Sequence, residues 1–339
     1  MSDLFGNLPR FPLAYLPTPL TDAVNLRAAL GGPGKCPRIL IKRDDLTGLA
    51  YGGNKVRKLE FLIGDALAQG CTDVLTAGAE QSNHCRATAA ACVVAGLRPT
   101  LVLDTDHPEQ APQGNLLLER MMGAHIDFVP KGADKVARME ELAAEITKSG
   151  GKPYVIPVGG SCPVGTVGYL TMAQELAGQL QALGETPRRL YFASGSRGTQ
   201  AGIVLGMRLF EVPGEPRGIC ISLNNTEAQQ RALANANIAA EMVGSDIRLT
   251  QADLVDDEDF VGEAYAVPTE AGDAAIDLVA KTQAIFLDPV YTGKGMSAVL
   301  AHIRSGKIGP DETVVFVHTG GGPSVFVHAE RLAARAGIA

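Results

Sequence analysis

Two open, twisted α/β domains, each built on a largely parallel sheet with helices on both faces, are the fold class this sequence predicts. Three observations lead there. Short β-branched runs alternate with helix-period segments over most of the length, the pattern of strands joined by crossover helices. The strand-like runs are too many for one compact sheet. A chain of 339 residues, 46% apolar and 20% charged, can bury two ordinary cores, which excludes disorder and a disulfide-stapled miniature fold.

Taken in order, RILIKR (38–43) forms the first strand and runs into the turn-rich DDLTGLAYGG (44–53). A helix follows over 55–69, where Leu59, Leu62, Ile63, Ala66 and Leu67 recur at helical spacing. VLTA (74–77) reads as a short strand, and Ser82 and Asn83 then stand in capping position before an Ala-rich helix at 84–95. Strands at 99–103 and 125–129 flank a helix at 114–122, and a helix at 133–148 leads to a strand at 153–157. Beyond a second turn-rich stretch, 158–168, come helix 166–183, strand 189–193, helix 199–210, strand 217–222 and helices 226–242 and 268–282. Strand 284–288, helix 295–305, strand 313–318 and helix 323–336 complete the chain. The two turn-rich stretches are the candidate crossings, so residues 1–49 with 163–339 form a large domain and residues 50–162 a small one.

Composition narrows the function. The 30 basic and 37 acidic residues give a net charge of -7, which argues against a nucleic-acid partner. No basic segment precedes an apolar one at the N-terminus, and no window approaches about eighteen uninterrupted apolar residues, so neither a signal peptide nor a membrane span is expected. A cytoplasmic protein is the expectation. Six cysteines without a C-x-x-C pair read as reduced thiols, with no metal site. The 39 Gly and 20 Pro, beside no Trp, imply many tight loops between elements packed by small aliphatic residues.

Ligands of open α/β sheets sit beyond the carboxyl ends of strands, so the glycine-rich turns are where chemistry is sought. Two of them are decoys. GLAYGGNK (48–55) misses the nucleotide P-loop because Asn54 separates Gly53 from Lys55 and no hydroxyl follows to hold magnesium. GKGMSA (293–298) matches a dinucleotide fingerprint, but the acidic pair Asp311 and Glu312 precedes the next strand instead of ending it. A third turn, Ser194-Gly195-Ser196-Arg197-Gly198-Thr199, follows a strand and opens a helix, so its backbone N–H groups and the helix field can hold a phosphate. An ordinary strand-to-helix turn has the same composition.

Five runs carry a resemblance. They are Gly52-Gly53-Asn54-Lys55 with Arg57-Lys58-Leu59-Glu60, then Gln81-Ser82-Asn83-His84, Tyr265-Ala266-Val267-Pro268, Leu287-Asp288-Pro289-Val290-Tyr291-Thr292-Gly293-Lys294, and His318-Thr319-Gly320-Gly321. In order and spacing, from about residue 10 to residue 330, the chain resembles the pyridoxal-phosphate enzymes of the aminocyclopropanecarboxylate deaminase and D-cysteine desulfhydrase family, which also holds L-cysteate sulfo-lyases.

The resemblance implies a fold type II (tryptophan synthase β-like) architecture with the pyridoxal 5'-phosphate in the cleft between the domains, and a homodimer. Lys55 matches the Schiff-base lysine, which needs a desolvated or cation-rich setting to lose its proton. Asn83 would meet the cofactor's 3-hydroxyl oxygen, Gly195, Ser196, Gly198 and Thr199 its phosphate, and Thr319 its pyridine nitrogen. Ser82, Tyr265 and Tyr291 would act on the substrate, with Asn83, His84 and Arg197 beside it.

Ring-opening deaminases of the family carry Glu and Leu where this chain has Thr292 and Thr319. Both departures point to α,β-elimination from a cysteine-like amino acid, giving pyruvate, ammonia and a sulfur leaving group. An arginine inside the small-residue loop could pair with a sulfonate, or else brace the cofactor phosphate or point to solvent; the first reading of Arg197 tilts the expectation to an L-cysteate sulfo-lyase. D-cysteine desulfhydrase comes second and aminocyclopropanecarboxylate deaminase third. A non-catalytic metabolite-binding protein and an NAD enzyme are the readings of a different class.

Overall fold

The computed structural model describes residues 4–223 and 226–337. Their strands form two sheets. The larger, in spatial order, is β1 (Leu20–Asp22), β2 (Arg38–Lys42), β10 (Thr313–Val317), β7 (Arg189–Ser194), β8 (Glu215–Cys220) and β9 (Asp256–Asp257). The smaller is β5 (His125–Val129), β4 (Arg98–Asp104), β3 (Asp73–Ala79) and β6 (Pro153–Val155). Every pairing is parallel except β1 with β2.

Strands covered on both faces must be apolar at successive positions, and these are. Ile39, Ile41, Val314, Phe316 and Tyr191 face one core cluster of the larger sheet. Leu40, Val315, Val317, Leu190 and Phe192 face the other, against α6 (Pro163–Leu183) and α7 (Gly198–Leu209). Each such fully buried side chain contributes about 1.5–3 kcal/mol.

Helix α2 (Asn54–Ala68) joins the two sheets. Val56, Leu59, Leu62 and Ile63 pack with Val74 of β3 and with Ala87 of α3 (Asn83–Ala95). On another side α2 touches α6 backbone to backbone, for a Cβ on Gly168 would stand 2.3 Å from the Arg57 carbonyl oxygen. The segments that follow β6, β7 and β10 all reach the first turn of α2, through Gly159, Thr199 and Thr319.

Three elements escape the sequence pattern: β1, α1 (Val24–Ala29) and β9, each too short to show a period. Two expectations are overturned. Residues 284–288 form no strand. Both flanks of β10 are taken by β2 and β7, so the segment has no ladder to join, and Ile285 and Leu287 pack into the core. The helix expected over 323–336 breaks at His328 into α11 (Ser324–Val327) and α12 (Ala329–Ala336). No helix among the described residues is long and apolar enough to cross a membrane, and all six cysteines are free thiols. The GKGMSA run opens α10 (Thr292–Arg304), where Gly295 lets the helix sit on Phe316 of β10.

Candidate active site

A double glycine sets the geometry. Gly52 and Gly53 have φ of 63° and 113°, in the region that glycine tolerates, and a Cβ on Gly52 would stand 2.2 Å from the Asp45 carbonyl oxygen. The loop therefore turns tightly enough for Asn54 N to donate to the Thr319 carbonyl oxygen (2.9 Å) at the end of β10. Lys55 then projects from the first turn of α2. Its Nζ donates to the Gly159 carbonyl oxygen at 3.4 Å, and Lys58 Nζ donates to the same oxygen at 3.2 Å. Among the described residues neither lysine has a carboxylate partner. Burial pushes Lys55 down to about 8. Burial, with Lys55 beside it, holds Lys58 well below the usual lysine value.

The 194–199 loop faces this pair. A Cβ on Gly198 would stand 2.4 Å from Ser161 Oγ and 2.7 Å from Lys58 Nζ, so only glycine leaves room there. Gly195 lies against Ile221 and the Tyr291 ring, at 2.9 and 3.9 Å from its ideal Cβ. Ser161 Oγ donates to the Ser196 carbonyl oxygen (2.7 Å), and Asn54 Nδ2 donates to Thr199 Oγ1 (2.9 Å). Gly195, Ser196, Gly198 and Thr199 are thus gathered around the first turn of α7, one wall from Lys58.

Arg197 departs from the expectation that it could reach a substrate sulfonate. Its guanidinium turns under the loop, is 5% exposed, and donates from Nη1 to Asp256 and from Nη2 toward Cys220 Sγ (3.8 Å). A buried cation takes the carboxylate available to it, and Asp256 is that carboxylate.

On the small-sheet side, Ser82 caps α3 by accepting from Cys85 N (3.2 Å). Asn115 Nδ2 donates to Asn83 Oδ1 (3.0 Å) and to the Gln81 carbonyl oxygen (2.8 Å), which leaves the Asn83 amide N–H groups as donors. Arg86 donates to the Ala50 and Gly52 carbonyl oxygens and ties α3 to the loop before Lys55. That loop needs tying, because Ala50 and Tyr51 hold φ of 43° and 69°. His84 is a buried brace. Thr76 Oγ1 donates to the Ile156 carbonyl oxygen (2.9 Å) and so accepts from His84 Nε2 (3.0 Å), leaving Nδ1 bare. Burial and the two lysines keep the ring neutral.

Tyr265 and Tyr291 share a hydroxyl–hydroxyl hydrogen bond of 2.7 Å with rings edge to face. Asp288 holds Tyr291 in place, accepting from the main-chain N of Val290, Tyr291 and Thr292 at 2.8–3.0 Å. The Thr292 hydroxyl donates to Asp288 Oδ1 (2.6 Å) and accepts from Asp288 N (2.7 Å), so both its roles are used inside this turn. At the end of β10, His318 Nε2 donates to the Phe286 carbonyl oxygen and Nδ1 accepts from Gly320 N. Thr319 is 8% exposed, and its hydroxyl has no protein partner among the described residues.

Sequence reasoning passes over Lys58, Asn54, Gly159, Ser161 and Asn115. Lys58 is within its reach, since it stands three residues after Lys55 on one helical face. Gly159 and Ser161 read only as a chain crossing, because nothing local says that 158–161 meets 194–199.

A family profile described as "Pyridoxal-phosphate dependent enzyme" matches residues 12–320. A D-cysteine desulfhydrase of Salmonella newport (strain SL254) is 37% identical over 325 residues, 94% of this chain and 96% of the relative. Another, of Klebsiella pneumoniae (strain 342), is 37% identical over 334 residues, 96% and 99% of the two chains. The crystal structure of an ACC deaminase homologue superposes with a TM-score of 0.87 at 35% identity, covering 98% of this chain and 97% of that one. The crystal structure of a threonine deaminase of T.th. shares the fold alone, at a TM-score of 0.60 and 23% identity over 90% and 92%. With the lysine pair, the small-residue loop and these matches together, the chain belongs to the pyridoxal-phosphate dependent enzymes, in their fold type II branch.

Proposed function

We propose that the chain is a carbon–sulfur lyase acting on D-cysteine, releasing sulfide, pyruvate and ammonia. One observation supports this choice over L-cysteate: among the described residues Arg197 donates to Asp256 and Arg86 to the Ala50 and Gly52 carbonyl oxygens, so neither guanidinium stands unpartnered for a sulfonate. The 37% identity to D-cysteine desulfhydrases supports the same reading.

The residues present fit the cofactor. Lys55, half-buried, and Lys58, buried, have no acidic partner among the described residues, which suits an aldehyde and a phosphate, and glycine at 198 keeps a side chain from crowding Lys58 Nζ. In this reading Gly195, Ser196, Gly198, Thr199 and Lys58 hold the phosphate, Asn83 donates to the 3-hydroxyl oxygen, and the Thr319 hydroxyl meets the pyridine nitrogen. When bound, pyridoxal phosphate supplies an electron sink for a carbanion at the substrate's α-carbon. Lys55 anchors it and moves the α-proton, its lowered basicity suiting both tasks. Ser82 and the Asn83 amide orient the carboxylate. The Tyr265–Tyr291 hydroxyl pair passes a proton to the departing sulfur as the C–S bond breaks. Residues 50–162 form the smaller wall of the cleft, 1–49 and 163–339 the larger, and two copies associate.

Purified protein should be yellow, and borohydride should fix the cofactor on Lys55. Offered D-cysteine and L-cysteate separately, it should yield sulfide and pyruvate from the first. Sulfite from L-cysteate without sulfide from D-cysteine overturns the substrate, and a colourless protein overturns the whole reading.

A further inference from the structure

We infer that Asp256 is a positioning residue for the phosphate cup, acting through Arg197; this deepens the cofactor reading above and rests on it. The cup at 194–199 is underlain by a closed polar ring. Ser194 Oγ donates to Gln200 Oε1 (2.6 Å), Gln200 Nε2 donates to Asp256 Oδ1 (2.8 Å), and Arg197 Nη1 donates to Asp256 Oδ2, which also accepts from Gln229 Nε2 (3.2 Å). Ser194 and Gln200 bracket the loop, and Arg197 is inside it.

Arg197 is held at φ 62°, a left-handed conformation that residues with a Cβ avoid. Its neighbours on either side are Ser196 and Gly198, so this one dihedral sets the direction of the N–H groups aimed at an anion. The side chain is almost fully buried, and Asp256 is its ionic partner among the described residues. Removing that partner leaves a buried guanidinium uncompensated, and the residue then has every reason to leave its strained state.

The fold builds a seat for this carboxylate. Asp256 belongs to β9, a two-residue edge strand registered on β8 by Gly218↔Asp256 and Ile219↔Asp257. Gly218 can only be glycine while Gln200 sits there, since its Cβ would stand 2.9 Å from Gln200 Nε2. Strand, glycine and glutamine together bring one acid under one arginine. The pair is also electrically closed, so the cup's attraction for an anion is left to the α7 N-terminus and Lys58.

The test measures affinity of the apoprotein for pyridoxal phosphate and for pyridoxal, which lacks the phosphate. Asp256→Asn should weaken pyridoxal phosphate about tenfold and pyridoxal by less than about twofold. Asp256→Glu, which keeps the charge, should recover most of the loss. In an Arg197→Gly background, where glycine takes the left-handed conformation unaided, Asp256→Asn should add less than about twofold. Equal losses for both ligands, no loss at all, or an undiminished loss in the Arg197→Gly background each overturn the inference. If Asp256→Asn does not fold, the comparison of Arg197→Gly with Arg197→Gly/Asp256→Asn decides alone. Wild-type apoprotein that takes up no pyridoxal phosphate is a separate result, read before any variant, and it overturns the cofactor reading and the inference with it.

Discussion

Two faces of helix α2 bury cations in opposite ways. On one, Arg57 is surrounded: Nε and Nη2 donate to Asp44, Nη1 and Nη2 to Glu175, all at 2.8–2.9 Å, and Nη2 also reaches Thr18 Oγ1 at 3.0 Å. Lys42 and Tyr169 join the same network through Glu175 and Asp44. On the other face Lys55 and Lys58 share one carbonyl oxygen. The difference is one of purpose. The arginine face is complete and fastens α2 to the larger sheet, whereas the lysine face has no carboxylate partner among the described residues and its amines are shifted toward the neutral form, the state that the proposed roles of Lys55 and Lys58 require.

The largest test of that contrast is Lys55→Ala. It should lower kcat by about a thousandfold or more while thermal unfolding shows an intact fold. Activity within tenfold of the parent would break the assignment of the reactive face. On the structural face, Arg57→Met leaves Asp44 and Glu175 buried without their cation, so urea unfolding should show a loss of about 3–5 kcal/mol. An unchanged stability would mean that the network is ornament. Lys58→Met should split the two properties, weakening cofactor binding about a hundredfold while raising the apoprotein's Tm by about 2 °C, because an uncompensated buried amine is removed.

The same contrast explains how much could be read in the sequence. Helices α2 and α3 and strands β2 to β5 show their periods, and Lys55, Ser82 and Asn83 stand at the positions that glycine turns and caps announce. Arg57 and Lys58 are adjacent cations in one motif, and nothing local tells which is to be satisfied. That depends on Asp44, Glu175 and Gly159, which are remote in sequence. Arg197 is the same lesson in the 194–199 loop. Its partner lies 59 residues away on a strand of two residues, too short for any pattern, and so nothing in the sequence names Asp256 as the group it pairs with. Likewise 284–288 has strand composition, and only the occupied flanks of β10 deny it a ladder.

The smallest effect is a pH dependence, and its sign follows from which face is incomplete. Lys55 has its folded value lowered by burial from 10.5 to about 8. Only the neutral amine attacks a carbonyl, so the rate at which apoprotein captures pyridoxal phosphate should fall about tenfold per unit as pH drops below about 8, and flatten above it. The unfolded chain keeps this proton up to the ordinary lysine range, so between about 8 and 10.5 it binds more protons than the folded one, and stability should rise with pH across that window. Lys58, lowered in the same direction, adds to the rise. Arg57 keeps its charge throughout and contributes nothing to it. Lys42 and Lys294, lowered by burial as well, add their own share, so urea midpoints from pH 7 to 10 are compared between wild type and variant: the slope should shrink in Lys55→Met, and a slope left unchanged by Lys55→Met and Lys58→Met together would show that the lysine face is charged at rest after all.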